Sequence, residues 1–289
     1  MANTKGKHKT IKLGDSQVVS HLDAPDWGFL YDASTVRPDG FYPGDRVQLP
    51  DGRVFRLAKC GSSLSSMKYA VGGYNQLVSE YTSPTCVPTA TIAVGDKSAA
   101  FTVTAATIGV SRDGVIAEDE LRGGYISFYG TTSGDRPQRG IIGNTALAAD
   151  GTSITIYFDA PIKTAMNAGV ATEIIANPYS DVRGGDSAAS GIWCSYYGMP
   201  NVLATTGQYF WIQTWGAFRV TPTAAALGAN QGERQLVFAA NGSICSLVTW
   251  HTQIATTPTH AYQMAGFIME RTDGTSTDAA PFVNLQINP

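Results

Sequence analysis

Polar and apolar residues alternate with a period of two in many short stretches of this chain, which is the pattern of half-buried β-strands. Residues 46–49 and 53–57 alternate in this way around a Pro-Asp-Gly turn at 50–52, so they predict a β-hairpin. A second hairpin is predicted around the Asn-Gly pair at 241–242, and a three-stranded meander over 202–220. Repeated short strands with turn residues between them predict a mainly β fold, an antiparallel sandwich or barrel.

Helical patterns are few and short. Only residues 117–121 and 162–168 fit a helical period, and Gly169 interrupts the second of them. Both segments are expected to be minor elements beside the strands, so they leave the mainly β prediction unchanged.

The pattern also predicts three regions along the chain. Residues 1–22 are predicted to form an extended basic N-terminal arm, because lysines alternate there with small or polar residues and little can be buried. Residues 23–86 are predicted to be a loop-rich segment with one β-hairpin, and residues 87–289 to be the main β domain. The boundary near 86 follows from the glycines and serines that interrupt the alternation over 60–86.

Composition and charge exclude several classes of protein. Of 289 residues, 15% are charged, against roughly 25% in an ordinary soluble domain. The formal net charge of −3 lacks the positive excess of a sequence-independent nucleic-acid binder, so no direct nucleic-acid contact is expected. No apolar h-region and no apolar run of ~20 residues is present, so neither secretion nor a membrane span is expected. The four cysteines form no Cys-x-x-Cys pair and are interpreted as reduced thiols.

Candidate catalytic residues do not form a recognisable set. The loop 185–191 resembles the nucleophile segment of chymotrypsin-like proteases, but upstream only His8 and His21 could act as its base. The loop is therefore interpreted as a Gly/Ser/Asp turn. His251 and His260 are nine residues apart, which matches no metal-ligand spacing. We predict no catalytic residue, no metal site and no cofactor, and hence a protein that is not an enzyme.

An aromatic run at 209–215 has two interpretations. On a strand, Tyr209, Trp211 and Trp215 share one face, while the alternate residues share the other. The strand is either buried on both sides or presents an aromatic contact surface for a subunit or a sugar. Trp193 and Tyr196 pose the same alternative, so all five are candidate residues of an aromatic interface.

The basic arm also has two interpretations. Lys5, Lys7, Lys9 and Lys12 fit either a disordered solubilising terminus or a segment that becomes ordered on binding a neighbouring surface.

Two segments carry a family resemblance. Residues 44–59 (GDRVQLPDGRVFRLAK) and 207–216 (GQYFWIQTWG) resemble structural proteins of tailed-bacteriophage virions, in particular capsid decoration or cement proteins. The resemblance implies a β-rich protein without catalytic activity on the outer surface of the capsid, assembled in the host cytoplasm. It implies a homotrimer that stabilises the capsid by bridging subunits of the major capsid protein, with the lysines of the arm as capsid contacts.

Two other functions stay open. A phage tail or receptor-binding protein would place Trp193, Tyr196, Trp211 or Trp215 against sugar rings. A β-rich hydrolase would use Asp181 and Asp186, or the Ser187 loop.

Overall fold

The computed structural model describes the chain in segments. They are residues 11–13, 16–18, 27–73, 86–103, 115–129, 137–148, 151–185, 195–220, 227, 234–239, 241–247, 263–269 and 281–289.

The fold is almost entirely β, with antiparallel sheets that form a half-barrel and a nearly closed barrel. The prediction of a mainly β fold, an antiparallel sandwich or barrel of short strands, is therefore confirmed. A short 3-10 helix spans Trp27–Tyr31. The strands are β1 (Ile11–Leu13), β2 (Ser16–Val18), β3 (Arg46–Gln48), β4 (Val54–Lys59), β5 (Val71–Gly73), β6 (Cys86–Pro88), β7 (Ser98–Val103), β8 (Tyr125–Tyr129), β9 (Gln138–Asn144), β10 (Ser153–Phe158), β11 (Ala171–Ile175), β12 (Val182–Gly184), β13 (Tyr196–Pro200), β14 (Tyr209–Arg219), β15 (Gln235–Phe238), β16 (Ile244–Ser246), β17 (Met264–Ile268) and β18 (Phe282–Gln286).

The chain divides into two compact units. The discontinuous unit combines Met1–Gly73 with Val182–Pro289, and the inserted unit is Tyr74–Asp181. This division differs from the predicted one, in which 87–289 formed one domain. The difference arises because β12 returns to pair with β5, which closes the chain around the insertion. Such a long-range pairing leaves no local pattern in the sequence.

The discontinuous unit contains a twelve-stranded sheet built around β14. The main path runs β1-β2-β3-β4-β14-β18-β17-β15-β16, and β13, β5 and β12 branch from it. Its pairs are antiparallel except β2 with β3. The arm predicted at 1–22 thus includes two short strands that join the sheet edge, while residues 1–10 lie outside the described part.

Among the described residues, two apolar clusters belong to the core of this unit. One surrounds Trp211, which packs edge-on against Phe29 and Phe41 and lies beside Phe55 and Leu57. The other lies between β14, β15, β17 and β18. Its buried members are Ala70, Met199, Phe218, Val220, Leu227, Leu236, Phe238, Ile244, Ala265, Val283 and Leu285.

The inserted unit is a six-stranded antiparallel sheet in the order β11-β8-β9-β10-β7-β6. Its first and last strands meet, because the Thr172 hydroxyl on β11 donates a hydrogen bond to the Cys86 carbonyl on β6. Phe101, Phe128 and Phe158 pack against one another in its core. The sheet is therefore nearly closed around an aromatic centre.

Neither predicted helical segment is helical. Residues 117–121 form turns that are held by Asn144, whose Oδ1 accepts from the Leu121 amide at 2.8 Å and whose Nδ2 donates to the Ala117 carbonyl. In the segment 162–168, Met166 exchanges backbone hydrogen bonds with Ile92 instead. Tertiary hydrogen bonds override a weak local helical preference in both places.

Candidate binding groove

A groove of about 430 Å³ lies on the discontinuous unit. We call it the basic groove because three cationic side chains line it. Its lining residues are Arg53, Ser66, Met67, Lys68, Pro200, Asn201, Gln213, Ala217, Phe218, Arg219 and Phe282.

The open edge of β14 contributes to this groove. The neighbouring strand β4 pairs with β14 only as far as Val54, opposite Trp215. On the other side, β18 pairs with β14 as far as Arg219. On the β4 side, residues 216–219 therefore have no strand partner within the described ranges.

The hydrogen bonds show which backbone groups point to the open side. The Val220 amide donates to the Pro281 carbonyl, and the Ile287 amide donates to the Thr214 carbonyl. In this part of β14, the backbone groups of even-numbered residues therefore form hydrogen bonds with the β18 side. Backbone groups of alternate residues point to opposite neighbours in an antiparallel ladder. The amides of Ala217 and Arg219, together with the Arg219 carbonyl, therefore point away from β18.

Gln213 occupies part of the position of a strand partner. This side chain is buried, and its Nε2 donates to the carbonyls of Trp215 and Ala217 at 3.1 and 2.8 Å. A buried glutamine needs such partners because an unsatisfied amide in a core costs ~1–3 kcal/mol. The two carbonyls are thereby satisfied, and the donors of the edge stay available.

The backbone turns sharply at Gly216, next to the groove. Gly216 has a φ of 87°, and a Cβ at this position would lie 3.0 Å from the Arg53 Cα. Only glycine combines this conformation with so close an approach. It brings the β14 edge beside Arg53.

The charge in the groove is of one sign. Arg53 forms a salt bridge with Asp51, in which the Arg53 Nε lies 2.7 Å from the Asp51 Oδ2, and it also donates a hydrogen bond to the Tyr31 hydroxyl. The exposed side chains of Lys68 and Arg219 make no ion pair within the described part of the chain. The described lining includes no carboxylate. The groove therefore favours a ligand with negative charge.

The groove also contains a buried side-chain donor. The Asn201 Nδ2 is buried and has no hydrogen-bond partner among the described residues. The loop that carries Lys68 is fixed on both sides, since the Leu64 amide donates to Ala204 and the Ala70 amide to Gly242. The site is thus a preformed set of donors and cations.

An exposed apolar surface adjoins the groove. Phe282 lies between Arg219 on β14 and Met269, whose amide donates to the Phe282 carbonyl. Phe267 is the diagonal neighbour of Phe282 through its partner Asn284. Phe267, Met269 and Phe282 are 37%, 55% and 46% exposed, and we call these three residues the apolar face.

Trp211, a predicted member of an aromatic interface, belongs to the core instead. It is 1% exposed, and residues 210–214 of β14 are all buried. Strands and side chains cover both faces here, so the structure supports the buried alternative for this part of the strand.

The other aromatic candidates differ in position. Tyr209 and Trp215 are half-buried at the two ends of that buried stretch, and the Lys59 ammonium lies 5.8 Å from the Tyr209 ring centroid. Tyr196 packs on Phe238, and burial raises its pKa to about 12, against the opposing effect of a hydrogen bond with the Gly242 backbone. Trp193 lies outside the described residues. Of these candidates, the structure does not bring the described ones, Tyr196, Tyr209, Trp211 and Trp215, together into one surface.

The candidate arm contacts are mostly outside the description. Lys5, Lys7 and Lys9 lie outside the described residues, and Lys12 is in β1, where its backbone is opposite Gln17.

The residues of the hydrolase alternative are also not assembled in the described part. Asp181 is buried, whereas Asp186, Ser187 and the four histidines lie outside the described residues. No group of three or more potential metal-ligating side chains occurs within the ranges the structure describes. In those same ranges, no helix has the length and apolarity to cross a membrane.

The described cysteines are separate thiols. Cys60, Cys86 and Cys245 form no disulfide. Burial raises the pKa of the Cys86 thiol to about 12, against a smaller opposing effect of Thr172, and burial raises that of Cys245 to about 11.

Sequence reasoning missed the groove residues. Period-two alternation places Ala217 and Arg219 on one face, and the same alternation exposes Phe282 between buried neighbours. This alternation could have identified Ala217, Arg219 and Phe282 from the sequence. Lys68 and Arg53, by contrast, join the site only through the tertiary fold.

Comparison of the chain with protein-family models, curated proteins and solved structures gives no match.

Proposed function

We propose that this chain is a non-enzymatic structural protein of a tailed-bacteriophage virion, which decorates the capsid and stabilises it by bridging major capsid protein subunits. It acts as a homotrimer on the outer surface of the capsid. The observation that supports this proposal best is the apolar face beside the basic groove. The resemblance of residues 44–59 and 207–216 to decoration proteins supplies the class of partner.

The apolar face has the composition of a protein-binding surface. Contiguous exposed aromatic and methionine side chains mark interaction sites, because isolated apolar residues are common on surfaces and clusters are not. Phe and Met are enriched in interfaces, and a few such residues supply most of the binding energy. Phe267 and Phe282 lie on the adjacent strands β17 and β18, and Met269 follows β17 directly and is tied to Phe282 by a backbone hydrogen bond, which gives an ordered platform for the partner.

The N-terminal arm adds a second contact in this proposal. Lys5, Lys7, Lys9 and Lys12 bind an acidic region of a neighbouring capsid subunit. Two linked contacts raise the retention of the protein beyond either contact alone, because the second binding step is intramolecular.

The basic groove favours one second candidate, a phage tail protein that binds receptor glycans. Cations and amide donors without a carboxylate are suited to an acidic sugar. In this alternative, glycan binding stabilises the folded chain against heat, because the ligand binds only the folded state.

Co-sedimentation tests the first proposal. Purified full-length protein is mixed with expanded phage capsids that lack it, the capsids are pelleted, and light scattering gives the mass of the unbound protein. Saturable binding at a fixed ratio to capsid subunits, with a trimer in solution, supports decoration. Absence of binding to any head, together with thermal stabilisation by acidic oligosaccharides, contradicts decoration and supports the tail protein.

A further inference from the structure

The basic groove combines an unpaired strand edge with positive charge. Ala217 and Arg219 direct two amides and one carbonyl away from β18, at the spacing of alternate residues in a strand. An extended polypeptide matches this spacing with its own carbonyls and amide. A sugar has no such repeat.

Side chains around the edge define the chemistry of the occupant. Lys68 and Arg219 offer two cations without carboxylate partners in the described residues, and Arg53 adds a third at the β4 end. Met67 and Phe282 supply exposed apolar surface in the same groove. An added strand directs successive side chains to opposite sides. Alternating acidic and apolar residues therefore match both sets of contacts.

An unpaired edge is a liability unless it is covered or used, because it is a template for pairing with another chain. Here Gln213 satisfies the carbonyls of Trp215 and Ala217, which leaves the edge donors for a ligand. Strand addition to such an edge is a common mode of peptide recognition, in which backbone bonds supply affinity and side chains supply specificity.

We propose that the basic groove binds an extended segment of the partner protein, with alternating acidic and apolar residues, by strand addition to β14 at residues 217–219. This inference rests on the proposed function, since it names the part of a capsid protein that the groove recognises. The partner's carbonyls accept from the Ala217 and Arg219 amides, and its carboxylates lie beside Lys68 and Arg219.

The test uses the full chain and a fluorescein-labelled heptapeptide of alternating valine and glutamate, with fluorescence anisotropy as the readout. We expect saturable binding that weakens with added salt, because exposed charges are screened. Lys68→Glu and Arg219→Glu should each weaken binding by about tenfold or more, because each places a negative charge against the peptide's carboxylates. Lys163→Glu is the matched control: Lys163 is exposed in the inserted unit, the net charge changes equally, and binding should stay unchanged.

Two further peptides separate strand addition from charge attraction alone. A valine and lysine heptapeptide should not bind, and the valine and glutamate peptide with N-methylated alternate amides should lose most of its affinity. In an NMR titration, the amide signals of Ala217 and Arg219 should shift. Equal binding of the N-methylated peptide, or equal binding by the groove variants, would overturn the proposal, as would binding of oligogalacturonate but not of the peptide.

The failure of this inference can be distinguished from failure of the proposed function. If Arg219→Glu protein co-sediments with capsids as well as the unchanged protein does, decoration stands and the groove inference is wrong. If the peptide binds in the groove but the full chain binds no capsid, the groove recognises an acidic strand of a different partner, and the capsid segment named here is wrong.

Discussion

The inserted and discontinuous units differ in whether their sheet edges are closed and in how their exposed apolar residues are arranged. In the inserted unit, Thr172 joins the terminal strands of the sheet, so the barrel is nearly closed. In the discontinuous unit, β14 extends beyond its neighbour β4 and leaves an edge open. Closure removes sites for pairing with another chain, whereas an open edge provides one.

Exposed aromatics in the inserted unit are more dispersed. Tyr157 lies between Ser98 and Gly143, and Tyr125 has Gly140 on one side, although Ile175 is on its other side. In the discontinuous unit, the apolar face joins three large side chains without a glycine between them. Under the proposed function, the open strand edge and the adjoining apolar face assign the binding surface to the discontinuous unit.

The largest expected effects concern the two cores. Trp211→Ala in the discontinuous unit and Phe158→Ala in the inserted unit should each lower the free energy of unfolding by ~3–5 kcal/mol, because each leaves a cavity in a packed core. Chemical denaturation measures the loss. Trp215→Ala is the matched control for Trp211, and its smaller loss reflects a half-buried ring. A loss below 1 kcal/mol for Trp211→Ala would mean that its ring is not part of a core.

The apolar face should affect binding and not folding. The double variant Phe267→Ser and Phe282→Ser should weaken retention on capsids by ~2 kcal/mol or more, because both side chains belong to the proposed interface. Its thermal unfolding should stay close to that of the unchanged protein, since both side chains are exposed. Co-sedimentation measures retention. The same double change at Tyr125 and Tyr157 is the control, and greater loss there would reverse the roles of the two units.

Closure of the inserted unit depends on the Thr172 hydroxyl. Thr172→Val keeps the shape of the side chain but leaves the Cys86 carbonyl without its donor, so the free energy of unfolding should fall by ~1–3 kcal/mol. Thr102→Val, at an exposed position on β7, should change it by less than ~0.5 kcal/mol. Equal effects of the two substitutions in urea unfolding would show that the hydroxyl does not hold the barrel closed.

Alkaline pH should destabilise the inserted unit through Cys86. Burial raises the pKa of this thiol from 9.0 to about 12, so the folded state keeps a proton that the unfolded state releases. The contribution is present below pH 9 and is lost as the pH rises towards 12. Between pH 8 and 11, the melting temperature of Cys86→Ala should fall less steeply with pH than that of the unchanged protein. An unchanged decline would contradict a buried neutral thiol.

Deletion of residues 2–14 should have the smallest effect on stability. It removes β1 and leaves β2 with its partner β3, so the melting temperature of the isolated protein should be nearly unchanged. Retention on capsids should fall, because Lys5, Lys7, Lys9 and Lys12 are removed. Equal co-sedimentation of the full-length and shortened proteins would contradict the role of the arm.

Local patterns predicted two hairpins correctly, but the three-stranded meander predicted over 202–220 is wrong, because Tyr209–Arg219 forms the single strand β14 and residues 202–204 are not a strand. The hairpin of β3 and β4 pairs Val47 with Phe55, as alternation around the Pro-Asp-Gly turn indicates. The hairpin of β15 and β16 around Asn241 also follows its turn residues. By contrast, the insertion depends on β5 pairing with β12 across more than a hundred residues. Nothing in either three-residue strand specifies its partner.

The site was less predictable than the fold, because it also depends on contacts between residues that are far apart in the sequence. The aromatic run of β14 is compatible with a core or an interface in the sequence, because burial depends on what packs over it, and in the structure Trp211 is covered by Phe29 and Phe41. Arg219 and Lys68 are ordinary exposed cations in the sequence. They become a candidate site only when the fold places them beside one open strand edge.

Hydroxyl-radical footprinting of the full chain, free and bound to capsids, tests the central claim most directly. Met269 and Phe282 in the discontinuous unit are exposed by 55% and 46%, and Tyr125 and Tyr157 in the inserted unit by 58% and 42%, so both pairs are open to oxidation in the free protein. We predict that capsid binding protects Met269 and Phe282 and leaves Tyr125 and Tyr157 unchanged. Protection of the two tyrosines, with Met269 and Phe282 still oxidised, would contradict the assignment of the binding surface to the discontinuous unit.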